Sequence, residues 1–288
     1  MNKWILTSRP KTLPAAISPV IVGAALAFHD VSFEPFVALM TLLAAVLIQI
    51  GANLANDLYD FLKGSDREDR LGPTRATQAG LITPSQMLRA MWIVFSLAIL
   101  VGFYLAWIGG WPIVWIGLAS ITAGIAYTGG PYPLGYHGWG DVFVFIFFGI
   151  IAVPGTYYLQ TGNITSVSIL LGIAMGTLST AILIVNNLRD ADTDVKSGKK
   201  TLAVRFGKTF VKWQYVFMIL IAFCIPVLIS ISWQNQMSLY IVWFLIPIAF
   251  RLILQIFYET GESLNTVLTD TARFLFLFAI ILSLSLIL

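Results

Sequence analysis

The chain has 288 residues, 58% of them hydrophobic and only 11% charged, and its mean hydropathy is +0.85. That composition excludes an ordinary soluble domain and indicates an integral membrane protein. The single cysteine, Cys224, excludes an internal disulfide and a cysteine metal cluster, and is read as a packing residue.

A membrane-spanning helix needs about 20 largely apolar residues. In chain order, nine segments meet that need, near 13–30, 34–56, 86–107, 111–128, 141–159, 166–187, 211–231, 237–257 and 271–288. They predict an all-α, polytopic bundle of nine transmembrane helices, a single transmembrane domain over residues 1–288. The opening MNKWILTSRPKTLP has the basic start of a signal peptide, but Pro10, Pro14 and Pro19 interrupt what would be its apolar core, so this stretch is read as the first span.

Nine spans create connections that alternate sides, and the 17 Lys and Arg residues test the assignment. Lys3, Arg9 and Lys11 precede the first span; Lys63, Arg67, Arg70, Arg75 and Arg89 flank the second connection. Arg189, Lys196, Lys199, Lys200, Arg205, Lys208 and Lys212 cluster between spans six and seven, and Arg251 and Arg273 flank the last connection. The opposite connections, HDVSFE, IGGW, QTGNITS and WQNQMS, contain no Lys or Arg. The positive-inside rule then predicts a multi-pass protein of the cell membrane, with the N-terminus and charged loops cytoplasmic and Leu288 outside. The pI near 9.0 describes a basic cytoplasmic face open to anionic membrane lipids, not a nucleic-acid binder.

The end of the second span, NDLYDFLKG, and the end of the sixth, NNLRDADTDVKSG, echo each other: Asn56, Leu58 and Asp60 align with Asn186, Leu188 and Asp190. The echo suggests four-helix halves, set near 1–135 and 136–210, with a ninth helix at 271–288 and a site where the halves face each other.

Positions i and i+4 share a helix face, so Asn56 and Asp60 form one oxygen-bearing edge and Asn186, Asp190 and Asp194 another. Carboxylates beside apolar helix ends are costly unless they pair or bind a cation. Hard Mg²⁺ suits oxygen ligands and shares its shell with phosphate, so two such edges match magnesium bridging one diphosphate. Arg75, in GPTRATQ, and Lys199, Lys200 and Arg205 lie close in sequence to these edges. For one cluster, a solvated, salt-bridged turn explains the residues equally well; for two matched clusters it does so poorly.

The two Asn-x-x-x-Asp patterns resemble the aspartate-rich motifs of the UbiA superfamily of intramembrane prenyltransferases. RPKTLPAAISPVIVGAALA, NLANDLYDFLKGSD with RLGPTRATQAGLI, and NNLRDADTDVKSGKKTLAVRFG resemble the branch that prenylates 1,4-dihydroxy-2-naphthoate. The first motif departs from the wider pattern, since the next acid after Asp60 is Asp66; Asp57 and Asp66 are therefore both candidates to complete that edge. The resemblance implies a bundle around a large cavity, open to the cytoplasm for a polyprenyl diphosphate and laterally to lipid for its tail.

On that reading, Mg²⁺ held by Asp60, Asp190 and Asp194 would act as Lewis acid at the departing diphosphate. Arg75, Lys199 and Lys200 would bind its remaining oxygens. Tyr127 and Tyr132, in YTGGPYPLGYHGWGD, are candidates to wall the carbocation, with a structural turn nearly as good an account. Asp141 is either a helix N-terminal carboxylate or a group that orients or deprotonates the aromatic acceptor. Arg9 is a candidate for holding that acceptor's carboxylate, whereas Lys11 reads as a membrane anchor and His137 as incidental. Transfer with loss of CO₂ would give demethylmenaquinol, a step of menaquinone biosynthesis. The rivals are a sister enzyme using 4-hydroxybenzoate, a lipid phosphotransferase, which would concentrate its acids in one motif, and an ion-coupled transporter. The last would place its carboxylates at mid-membrane rather than at helix ends.

Overall fold

The structure, a computed structural model, describes residues 2–65, 71–233 and 236–288. Among the described residues it is built of helices and loops, with an apolar helical pass at each of the nine predicted places. These are α1 (Leu13–His29), α2 (Pro35–Leu62), α3 (Pro84–Gly109), α4 (Trp111–Ala126) and α5 (Gly140–Thr161). They continue with α6 (Ser166–Lys196), α7 (Lys208–Ser232), α8 (Met237–Tyr258) and α9 (Leu264–Ile287).

Eight of the passes are long and apolar enough to cross a membrane. The exception is α4, whose 16 residues reach about 24 Å at 1.5 Å per residue, short of a hydrocarbon core of about 30 Å. The expected span 111–128 stops at Ala126 because the chain turns there into the Gly- and Pro-rich connection. Helix α9 departs the other way, starting at Leu264 rather than near 271. Its polar first turns, with Asn265, Thr269 and Thr271, are hydrogen-bonded within the protein and so escaped an apolar-run criterion.

Local chemistry explains the boundaries. Thr83 and Gln86 form a reciprocal capping box that starts α3, and Thr165 with Ser168 does the same for α6. Pro35, Pro84 and Pro112 occupy first-turn positions, where a missing N–H costs nothing. In α5 a π-helical stretch, Ile146–Ile151, precedes Pro154, whose ring cannot accept regular helical pairing behind it.

Helix α6 is the axis of the bundle and is largely buried, packing on α5, α7 and α9. Lipid supplies no hydrophobic force between helices, so close approach decides where they meet. At the α5–α6 crossing, a Cβ on Gly149 would lie 2.5 Å from the Gly172 carbonyl oxygen and 2.7 Å from the Gly176 Cα. Only hydrogen fits there. Cys224, read from sequence as packing, instead lies exposed on α7.

Gly149→Val should force α5 off α6. Overpacking costs about 1–3 kcal/mol, equivalent to roughly 2–12 °C in Tm for a chain of this size. A thermal melt in detergent that matches the parent would remove this contact from the packing account.

Candidate active site

Length places the acids. At 1.5 Å per residue, the 28 residues of α2 and the 31 of α6 span about 42 and 46 Å, more than a bilayer core of about 30 Å. Both helices therefore overrun the apolar layer and carry their acidic motifs as continuous helix. Their two oxygen-bearing faces line one cavity of about 600 Å³. Asn56 and Asp60 from α2 meet Asn186, Asp190 and Asp194 from α6 there, together with Arg9, Arg75, Tyr127 and Lys199.

Three connections converge on Asp60, whose side chain is 3% exposed. Arg75 Nη2, from the α2–α3 connection, donates to Oδ2 at 2.9 Å. Tyr136, from the α4–α5 connection, donates to Oδ1 at 2.7 Å, and its hydroxyl also lies 2.5 Å from Ser65 Oγ. Lys199 Nζ, from the α6–α7 connection, stands 3.3 Å from Oδ1. The Lys63 and Lys199 ammonium groups lie 4.9 and 4.7 Å from the Tyr136 ring centre, within cation–π range. Burial lowers the Lys63 pKa; Asp60 opposes that shift and Lys199 adds to it. Burial likewise pushes the Tyr127 phenol up, reinforced by the Asp141, Asp60 and Asp194 carboxylates.

Arg9 reaches the cavity from a left-handed turn, φ 49° and ψ 69°, a conformation that costs a side-chain-bearing residue energy and persists only when braced. The brace is Asn53 of α2, whose Nδ2 donates to the Ser8 carbonyl at 2.9 Å and to Thr12 Oγ1 at 3.2 Å. Thr128 Oγ1 donates to Asn56 Oδ1 at 2.9 Å.

Other expected residues lie elsewhere. Asp57 is buried off the cavity wall, and its two oxygens accept the backbone N–H groups of Thr77 and Ala76, each at 3.1 Å. It thereby holds the turn that delivers Arg75 to Asp60. Asp66 lies outside the described residues. Tyr132 stacks on His137, ring centres 3.7 Å apart, and His137 Nδ1 is 2.9 Å from the Pro133 carbonyl oxygen; both serve the turn. Lys200 has an exposed side chain, and its backbone N–H donates to the Tyr136 carbonyl at 2.7 Å. Gly138, at φ 77°, makes that approach possible, since a Cβ would sit 2.7 Å from the Lys200 carbonyl oxygen. Asp141 is buried at the start of α5 and accepts from Gln214 Nε2 of α7 at 3.2 Å, away from the cavity wall.

The structure adds residues that sequence reasoning missed. Arg189 grips Asp190 with a two-pronged fork, Nε to Oδ1 at 2.8 Å and Nη2 to Oδ2 at 2.6 Å. Adjacent residues on a helix do not share a face, so spacing gave no warning of this pair. Tyr136 stands in the quoted GYHGW loop beside the tyrosines that were singled out, but an irregular loop has no periodicity to rank them. The rest of the lining is largely apolar and includes Phe143, Phe147 and Phe148 of α5 and small residues such as Gly102 and Gly117 of α3 and α4.

A multi-pass bundle whose long apolar cavity ends in carboxylates, amides and cations suits an amphiphile with an anionic head. A family model described as the UbiA prenyltransferase family matches residues 16–285, and the chain belongs to that family. It is 41% identical over 249 residues to the 1,4-dihydroxy-2-naphthoate octaprenyltransferase of Escherichia coli (strain K12), covering 83% of this chain and 78% of that one. The Mycobacterium tuberculosis protein of the same name is 39% identical over 220 residues, covering 76% and 75%. Among solved structures, a UbiA homolog from Archaeoglobus fulgidus bound to GPP and Mg²⁺ superposes with a TM-score of 0.69 at 17% identity, covering 99% of each chain. That likeness shows a shared fold.

Asp57→Ala leaves two N–H groups without their carboxylate. Hydrogen bonds to charged groups are worth about 1.5–3 kcal/mol, so a fall in Tm of roughly 3–12 °C is expected. An unchanged melt with lost activity would return Asp57 to the chemistry.

Proposed function

We propose that the chain transfers a polyprenyl group from polyprenyl diphosphate to 1,4-dihydroxy-2-naphthoate with loss of CO₂, giving demethylmenaquinol. The observation that carries this is one cavity whose lining joins carboxylates, amides and cations to a large apolar surface, in a chain so similar to octaprenyltransferases of that acceptor. On this reading the N-terminus and charged connections are cytoplasmic, the C-terminus is outside, and the head group enters from the cytoplasm.

The donor set supports magnesium. Asn56, Asp60, Asn186, Asp190 and Asp194 offer oxygen only, from two facing helices, as a hard divalent cation requires. Magnesium held there would supply a Lewis acid for the diphosphate's charge.

The chain's own residues account for the rest. Arg75 presents a planar fork and Lys199 a compact charge to the phosphate oxygens; both already lie against Asp60 and need only turn toward an incoming anion. Ionisation breaks the allylic C–O bond, and its electron pair leaves with the diphosphate. Phe143, Phe147 and Phe148 face the resulting cation with π electrons and no nucleophile, while apolar walls keep water from capturing it. An electron-rich ring carbon of the acceptor then forms the new C–C bond; the ring–carboxylate bond breaks, CO₂ leaves, and the electron pair of that bond returns to the ring to restore its aromaticity. Arg9, on the same cavity, is assigned to the acceptor carboxylate.

The deciding assay uses detergent-purified protein, a medium-length prenyl diphosphate, and either 1,4-dihydroxy-2-naphthoate or 4-hydroxybenzoate, each with Mg²⁺ or EDTA. Mass spectrometry should find decarboxylated product from the naphthoate only, and only with Mg²⁺. Product from the benzoate alone would replace the acceptor; no product from either, in folded protein, would overturn the reading.

Asp60→Asn and Asp190→Asn should each reduce turnover at least 100-fold, in keeping with loss of transition-state charge stabilisation. Arg75→Ala should raise KM for the prenyl diphosphate more than KM for the acceptor. The reverse order would move Arg75 to the acceptor's side of the cavity.

A further inference from the structure

Helix α9 contributes little to the described cavity wall, yet its first turn touches both acidic regions. The side chain of Asn265 donates from Nδ2 to the Leu71 carbonyl at 2.9 Å, and its Oδ1 accepts from Arg189 Nη1 at 2.8 Å. Leu71 lies four residues before Arg75, which pairs with Asp60. Arg189, only 3% exposed, spends Nε and Nη2 on the two oxygens of Asp190 and shares Nη2 with Asn186 Oδ1 at 2.9 Å. One amide therefore joins two regions far apart in sequence, using its donor toward one and its acceptor toward the other.

The consequences follow from geometry. A guanidinium is planar, so a third anchor through Nη1 fixes its plane, and the fork then fixes the plane of the Asp190 carboxylate. Each carboxylate oxygen keeps a further acceptor position beyond the one Arg189 uses, and its direction depends on that plane. The other bond holds the stretch leading to Arg75 at a set distance from the end of α6.

We infer that Asn265 is a positioning residue for the diphosphate and metal end of the cavity: it orients Asp190 through Arg189 and sets the separation of the two acidic helix ends. The inference rests on the reading that this end takes a prenyl diphosphate with a divalent cation.

The test uses full-length protein in detergent, with Mn²⁺ as a paramagnetic probe and geranyl diphosphate as the anion. Asn265→Leu keeps the side chain's size and loses both hydrogen bonds. It should weaken Mn²⁺ binding, titrated by electron paramagnetic resonance, by about tenfold, the effect typical of losing a group that orients a ligand. KM for prenyl diphosphate should rise in parallel while KM for the acceptor stays within about twofold. If Asn265 acts through Arg189, adding Asn265→Leu to Arg189→Lys should weaken Mn²⁺ binding much less than adding it to the parent. Folded Asn265→Leu protein with parental Mn²⁺ affinity, or with both KM values raised equally, would overturn the role. If that variant does not fold, Asn265→Ser, too short to reach either partner, is read by the same criteria. Parent protein that binds no Mn²⁺ with geranyl diphosphate would remove the site and this role together, whereas a parent that binds and a variant that matches it would remove only the role.

Discussion

The arrangement depends on one buried negative charge. A carboxylate as enclosed as Asp60 is tolerated only when paired and hydrogen-bonded, and its partners come from three different connections: Arg75, Tyr136 and Lys199. Satisfying that single residue therefore folds these three connections over the mouth of the cavity. Breaking a buried pair by removing one partner typically costs about 3–5 kcal/mol, enough to make the convergence a structural requirement. The same cations line the cavity, so the groups that satisfy Asp60 also set the charge of this end of it.

A second buried pair, Arg189 with Asp190, repeats the solution on the facing helix, and the two solutions are connected. Asp57 secures the turn just after Arg75, Asn265 ties the stretch that leads to Arg75 to Arg189, and Asn53 braces the turn that bears Arg9. Each of these polar residues is buried or partly buried on a helix and bonded to backbone or to a charged side chain. They form the shell that holds the cavity-facing groups in place.

The remainder of the cavity follows from membrane physics. Backbone groups within the bilayer must pair inside their own helix, so a cavity there is walled by side chains, and its character is set by which face each helix turns inward. Gly102 and Gly117 leave width, the α5 phenylalanines supply aromatic surface, and the glycine contact at Gly149 lets α5 approach α6 closely enough to bring that surface in. The π-helical stretch before Pro154 shifts the register of α5 within this wall.

Much of this was legible in the sequence. Apolar runs marked nine passes because lipid requires length and composition that few other structures share, and Asn56–Asp60 and Asn186–Asp194 were readable because a helix repeats its face every three to four residues. What the sequence by itself determined was thus the class of fold and the two oxygen-bearing edges. Only the tertiary structure decided which acid faces the cavity and which holds a loop, setting Asp60 against Asp57; which loop tyrosine reaches the site, Tyr136 rather than Tyr132; and that Arg189 and Asn265 stand behind the second edge. Those outcomes depend on contacts between residues distant in the chain, across irregular connections where no period relates position to direction.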